Sequence, residues 1–77
     1  MKDNLYIVTG TSSGVGKQIS ILLLKNRKFV LGISRHRLKI KNNKYEFFKH
    51  DFKSKLNIKS IFKYIKNFNS FTIICAA

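Results

Sequence analysis

The stretch Thr9, Gly10, Thr11, Ser12, Ser13, Gly14, Val15, Gly16 constrains this chain more than any other. An apolar run, Leu5 to Val8, precedes it and a helical pattern, Val15 to Lys25, follows, so the glycines fall where a strand turns sharply into a helix. In that setting Gly10 permits a tight turn, Gly14 lets backbone approach a ligand closely, and Gly16 lets the helix pack against its strand. The first N–H groups of such a helix have no intrahelical partner, and together with the helix dipole they favour an anion such as phosphate.

The spacing T-G-x-x-x-G-x-G, between a strand and a helix, resembles the nucleotide fingerprint of the short-chain dehydrogenase/reductase family. Two other readings of the same glycines exist. A Gly/Ser loop joining strand to helix by chance is the bland one. A Walker A loop is the sharper one, but it requires Gly where Thr11 stands and Ser or Thr where Gln18 stands. The resemblance implies an α/β fold: a Rossmann-like partial parallel sheet in the order 3-2-1-4 with flanking helices, truncated after strand four. It also implies an oxidoreductase that moves a hydride between a nicotinamide cofactor and a carbonyl or alcohol.

With 77 residues and 44% apolar content the chain reads as one unit, residues 1–77, which the resemblance implies is a partial NAD(P)-binding domain. A chain this short buries only about 60% of its unfolded surface, so its stability is marginal. The net charge of +13, from 16 Lys and Arg against 3 acids, raises the question of nucleic acid. The lysines are spread along the whole chain without a basic block, which reads as compositional bias and a solvated surface. A basic nucleic-acid-binding module, stacking bases on Tyr45, Phe47 and Phe48, is the alternative from another class. A nucleotide-sensing or interaction protein on a retired reductase fold is a third. The lone Cys75 excludes an internal disulfide. With no signal peptide and no membrane-spanning run, a reducing cytoplasm is the expected location.

In chain order, Leu5 to Val8 is strand one, a continuous apolar run of the kind buried on both faces of a parallel sheet. Val15, Ile19, Leu22 and Leu23 recur at helical spacing and are expected to lie on the sheet, with Lys17, Gln18 and Lys25 outward. The helix should end near Asn26. Arg27 stands where the family commonly has Gly, so Asn26 or another cap must close it. Phe29 to Ile33 is strand two, reached by a crossover expected to be right-handed. Leu38 to Lys44 is polar and lacks a helical stripe. Tyr45 to Phe48 is strand three. Ser54 or Asn57 can cap a second helix with Ile58, Ile61, Phe62 and Ile65 inward and Lys59, Lys63 and Lys66 outward. Phe71 to Cys75 is strand four.

The end of strand two bears on the cofactor. A site for the unphosphorylated ribose places Asp or Glu about 20 residues beyond the glycines. This chain has Ser34, Arg35, His36 and Arg37 there, with no acid. The planar fork of Arg35 suits a 2′-phosphate, which favours NADP over NAD; the competing reading is a surface cation in a basic protein. His36 reads as an exposed loop residue. Asp51, followed by Phe52, resembles the family's adenine contact, and a helix cap or turn former is an equal reading. Cys75, Ala76 and Ala77 stand where the family has N-N-A-G beside the ribose, and the Asn side chains are missing. Cys75 itself is expected to be a buried, inert thiol.

Tyr45 and Lys49 have the Y-x-x-x-K spacing of the family's catalytic pair but fall in a strand. Residues four apart are about 6 Å from each other on a helix and about 13 Å from each other on a strand. The family's catalytic Ser, Tyr and Lys correspond to positions beyond residue 77, so no catalytic residue and no metal ligand is assigned. The cofactor-binding set is Gly10, Thr11, Ser12, Ser13, Gly14, Val15, Gly16, Ser34, Arg35, Asp51, Phe52, Cys75, Ala76 and Ala77. The expected partners are a dinucleotide and either a missing C-terminal half or a second copy; a membrane is excluded and nucleic acid disfavoured. Because strand four lies at the sheet edge, the chain alone is expected to be oligomeric, aggregated or loosely folded.

Overall fold

Among the described residues, four runs of apolar and β-branched residues build one parallel sheet, and two of its three crossovers carry a helix. The computed structural model describes residues 2–10, 14–49 and 58–75. The elements are β1 (Lys2–Thr9), α1 (Gly14–Lys25), β2 (Phe29–Ser34), β3 (Tyr45–Lys49), α2 (Ile58–Ile65) and β4 (Phe68–Cys75). The strand order is β3-β2-β1-β4 and every pair is parallel, which makes the fold Rossmann-like. Central β1 and β2 supply the residues buried most deeply, with Leu5, Val8, Val30 and Leu31 fully buried. That is what helices on both faces of a parallel sheet demand.

The alternation of side chains divides the core in two. On one face Leu5, Ile7, Leu31 and Ile33 pack with Ile61 of α2 and with Phe68. Four aromatic rings seat α2 there: Phe29 and Phe68 meet at 5.4 Å between centroids, Tyr64 and Phe68 at 5.4 Å, and Phe48 and Tyr64 at 6.2 Å. On the other face Val8, Val30 and Tyr45 pack with Leu24 of α1 and with Leu38. Truncating a fully buried leucine such as Leu31 to Ala would cost about 2–5 kcal/mol.

Both strands at the β1–β4 pair are longer than their apolar runs. The Asn4 amide donates to Thr72 Oγ1 at 3.0 Å, and the Ser70 hydroxyl donates to Asn4 Oδ1 at 2.8 Å. These cross-strand bonds carry the ladder into polar sequence, down to Lys2 opposite Phe68.

The contact face of α1 is rotated from the one its apolar residues suggest. Gly16, Ser20 and Leu24 are buried and Ile19 and Leu23 half-buried, while Val15 and Leu22 are exposed at 66% and 62%. Small residues win the inner face because the helix must lie close to the turn after β1. The Ser20 hydroxyl is satisfied within the helix, donating to the Gly16 carbonyl at 2.8 Å. On α2, Ile61 is buried and Ile65 half-buried, but Phe62 is 57% exposed and Tyr64 takes the inner place through its ring contacts. The capping candidates Ser54 and Asn57 lie outside the described residues.

Arg27 itself closes α1. It adopts φ 60°, its N–H bonds the Leu24 carbonyl at 3.1 Å, and the N–H of Lys28 bonds the Leu23 carbonyl at 3.0 Å. This is the paired-bond termination that glycine ordinarily supplies. Asn26 adds a side-chain bond from Nδ2 to the Leu22 carbonyl at 2.8 Å. Residues 35–44 form no helix, as expected, yet Leu38 is buried under the α1 face. The Asn42 side chain then accepts from Lys44 N–H at 2.9 Å, turning the chain into β3.

Candidate nucleotide-binding site

Parallel register brings the carboxyl ends of the strands into one row, with Thr9 opposite both Ile33 and Cys75, and Ser34 opposite Lys49. The chain builds β1, β2 and β3 in one direction and then crosses back to lay β4 on the other side of β1. The order therefore reverses between β1 and β4, and in open α/β sheets the crevice at such a reversal is where ligands bind.

The glycine turn stands at that crevice. Gly10 and Gly14 have φ 69° and 61°, a backbone that side chains disfavour, and Gly10 N–H bonds the Ile33 carbonyl at 3.0 Å. The three glycines are not equivalent. A Cβ on Gly16 would overlap the Gly10 carbonyl oxygen and lie 2.8 Å from its carbon, whereas a Cβ on Gly14 would meet no atom within 4 Å. Gly16 is thus a packing requirement. Gly14 leaves open space over the start of α1, where the helix presents unpaired N–H groups. Val15 is exposed beside it. Thr11, Ser12 and Ser13 lie outside the described residues, as do Asp51, Phe52, Ala76 and Ala77.

Of the remaining site residues, Cys75 is exposed rather than buried, because β4 is the outermost strand. The Thr9 hydroxyl donates to its Sγ at 3.5 Å, tying the ends of β1 and β4 beside the turn. Ser34 is buried, and its hydroxyl donates to the His36 carbonyl at 2.7 Å, turning the chain out of β2. Arg35 is exposed within that turn.

Sequence reasoning missed a basic hollow beside this turn. A cavity of about 340 Å³ is lined by Lys17, His36, Arg37 and Lys39, with Ile21 and Leu38 among its apolar walls. Lys17 faces this hollow from the first turns of α1, and no acid lines it. The Arg37 guanidinium stands 5.5 Å from the Tyr45 ring centroid and 5.8 Å from that of Phe47, a cation–π stack that fixes its plane while leaving N–H edges free for an anion. The position of Arg37 after β2 was legible; its stacking partners, eight and ten positions on in a different strand, were not.

Tyr45 and Lys49 both lie in β3, an extended strand that holds them apart. Tyr45 is buried in the α1-side core and Phe48 packs edge-on against Tyr64, so these rings do not form an exposed stacking surface. No helix among the described residues is long and apolar enough to cross a membrane.

No protein-family model matches the chain, and no curated protein does. Solved structures do. A short-chain dehydrogenase family protein from Francisella tularensis is 30% identical, with a TM-score of 0.69 over 91% of this chain and 30% of that one. A short-chain dehydrogenase from Leptospira borgpetersenii, solved with bound NAD+, is 24% identical, with a TM-score of 0.68 over 86% of this chain and 27% of that one. A short-chain dehydrogenase/reductase from Burkholderia vietnamiensis is 22% identical, with a TM-score of 0.60 over 82% and 30%. The chain thus resembles a partial short-chain dehydrogenase fold and spans 27% to 30% of the length of these structures.

Proposed function

We propose that this chain binds a nicotinamide dinucleotide at the carboxyl ends of β1, β2 and β4, as the cofactor-binding part of an oxidoreductase of the short-chain dehydrogenase type. The observation that carries this reading is the glycine turn at the strand-order reversal: Gly16 packed without room for a side chain, and Gly14 open above the start of α1. A pyrophosphate would accept hydrogen bonds from the first N–H groups of α1. The bound NAD+ of the Leptospira structure supports the same ligand class. Such a cofactor supplies hydride transfer to or from a carbonyl or alcohol carbon, and the chain's residues bind and orient it.

NADP is the favoured form. A 2′-phosphate at the end of β2 would meet Arg35 and the hollow of Lys17, Arg37 and Lys39, and no acid stands there to repel it. The reading includes Asp51 and Phe52 at the adenine and the backbone of Cys75, Ala76 and Ala77 at the ribose. A reducing cytoplasm suits the free thiol of Cys75. The chain alone turns nothing over, because Tyr45 and Lys49 are not in helical register.

Titration with NADPH and NADH tests the preference. NADPH should bind about tenfold or more tightly than NADH. Arg35→Asp and Arg37→Asp should each erode that ratio by removing attraction and adding repulsion. Equal affinities in the unmutated chain, or an unchanged ratio in both variants, would contradict the assignment.

A further inference from the structure

In a chain with a net charge of +13 a single cation means little by its charge alone, and Arg37 differs in how it is held. Its guanidinium lies over two rings of β3 at once, 5.5 Å from the Tyr45 centroid and 5.8 Å from that of Phe47. Alternate residues of a strand share a face, and both rings belong to the α1-side core, whereas Phe48 packs on the other side against Tyr64. Gly32, opposite Phe47 in the β2–β3 register, puts no side chain beside that ring. The next residue along, Leu38, is buried in the same core as Val8, Leu24, Val30 and Tyr45, so the segment after β2 is pinned directly beside Arg37. All of these groups belong to the part of the chain from β1 to β3, and none to β4.

A cation over an aromatic face keeps its N–H edges for another acceptor, and a guanidinium presents those edges as a planar fork that matches two oxygens of a phosphate. Arg37 also lines the hollow beside the glycine turn, together with Lys17 of α1. We propose that Tyr45 and Phe47 are positioning residues for cofactor choice: they hold the Arg37 fork ready for the phosphomonoester of a 2′-phosphorylated adenosine, and so discriminate it from a 2′-hydroxyl. This rests on the nucleotide reading above and adds to it two residues that act through Arg37 rather than by touching the ligand. The physical gain is preorganisation. An arginine ordered only on binding loses rotamer freedom at that moment, whereas one already seated on two rings has less to lose. A lysine in its place would supply the charge without the plane. A 2′-hydroxyl offers the fork one neutral oxygen, so the oriented guanidinium gains little from NADH.

The test measures NADPH and NADH affinity of the whole chain by calorimetry, in the parent and in Phe47→Leu, Phe47→Tyr, Arg37→Lys and the Arg37→Lys, Phe47→Leu double variant. Phe47→Leu keeps an apolar side chain but removes the π face, and should weaken NADPH by about threefold or more with NADH unchanged. Phe47→Tyr restores a ring and should keep the parent ratio. Arg37→Lys keeps the charge and leaves the core intact, yet should also lower the preference for NADPH, and adding Phe47→Leu to it should lower that preference no further. The Arg37 Nε–H resonance reads the same arrangement without any substitution: it should move on adding NADPH and not on adding NADH. Equal loss of both cofactors in Phe47→Leu, or of neither, would overturn the proposal. So would an unchanged ratio in Arg37→Lys, full additivity in the double variant, or an Arg37 resonance that ignores NADPH. The nucleotide reading survives those results; it falls if the folded parent binds neither cofactor, and this inference falls with it.

Discussion

A Cβ placed on Gly16 would overlap the carbonyl oxygen of Gly10. The first turn of α1 and the turn after β1 are therefore in backbone contact, and the small inner face of Gly16 and Ser20 follows from that contact.

The two glycines of α1 should consequently fail in different ways. Gly16→Ala forces backbone apart and should cost about 1–3 kcal/mol in urea unfolding. Gly14→Ala meets open space and carries only the left-handed backbone cost of about 1–2 kcal/mol. Its methyl group would nevertheless stand where a pyrophosphate approaches, so dinucleotide affinity should fall by more than stability predicts. Gly14→Val should show the same with a stronger loss. Retained affinity in a folded Gly14 variant would exclude the phosphate role.

Arg27 holds a conformation that suits glycine, at φ 60°. Arg27→Gly keeps both terminating hydrogen bonds and removes the strain, so thermal unfolding should show stabilisation of about 0.5–1 kcal/mol after the extra freedom of glycine in the unfolded chain is counted. Destabilisation would mean that the side chain contributes more than the backbone loses.

The Tyr45 hydroxyl is buried without a hydrogen-bond partner among the described residues. Tyr45→Phe should raise stability by about 1 kcal/mol and leave dinucleotide binding unchanged. Both outcomes separate it from the catalytic tyrosine that its spacing to Lys49 imitates.

Burial, and then the carboxylate of Glu46, push the Tyr64 phenol above its ordinary value of 10.0. A group raised on folding contributes stability that is present below the unfolded value and lost as pH climbs through the folded one. Unfolding should become easier above about pH 10, and Tyr64→Phe should flatten that alkaline fall. An unaltered alkaline limb in Tyr64→Phe would place the sensitive group elsewhere.

The sheet was legible because four apolar runs and a glycine turn fix strand identity, and the family resemblance supplied their order. What hydropathy could not show were contacts between small or polar groups. Val15 and Leu22 read as inner residues because nothing in their polarity reveals that Gly16 must touch Gly10. The outer ends of β1 and β4 were missed because Asn4, Ser70 and Thr72 pair through side chains. Leu38 was hidden in a polar stretch, and the exposure of Cys75 depends on an edge position that strand polarity does not mark. The glycines and the acid-free end of β2 were visible directly, whereas the partnership of Lys17 with Arg37 required the fold.

Calorimetric titration of NADPH into the 77-residue chain, with amide chemical shifts recorded in parallel, tests the central claim most directly. The account predicts saturable one-site binding, tighter than for NADH, with shifts at Gly10, Gly14 to Lys17, Ser34 to Lys39 and Cys75. A folded chain that shows no saturable binding, or whose shifts fall away from the carboxyl ends of the strands, would contradict it.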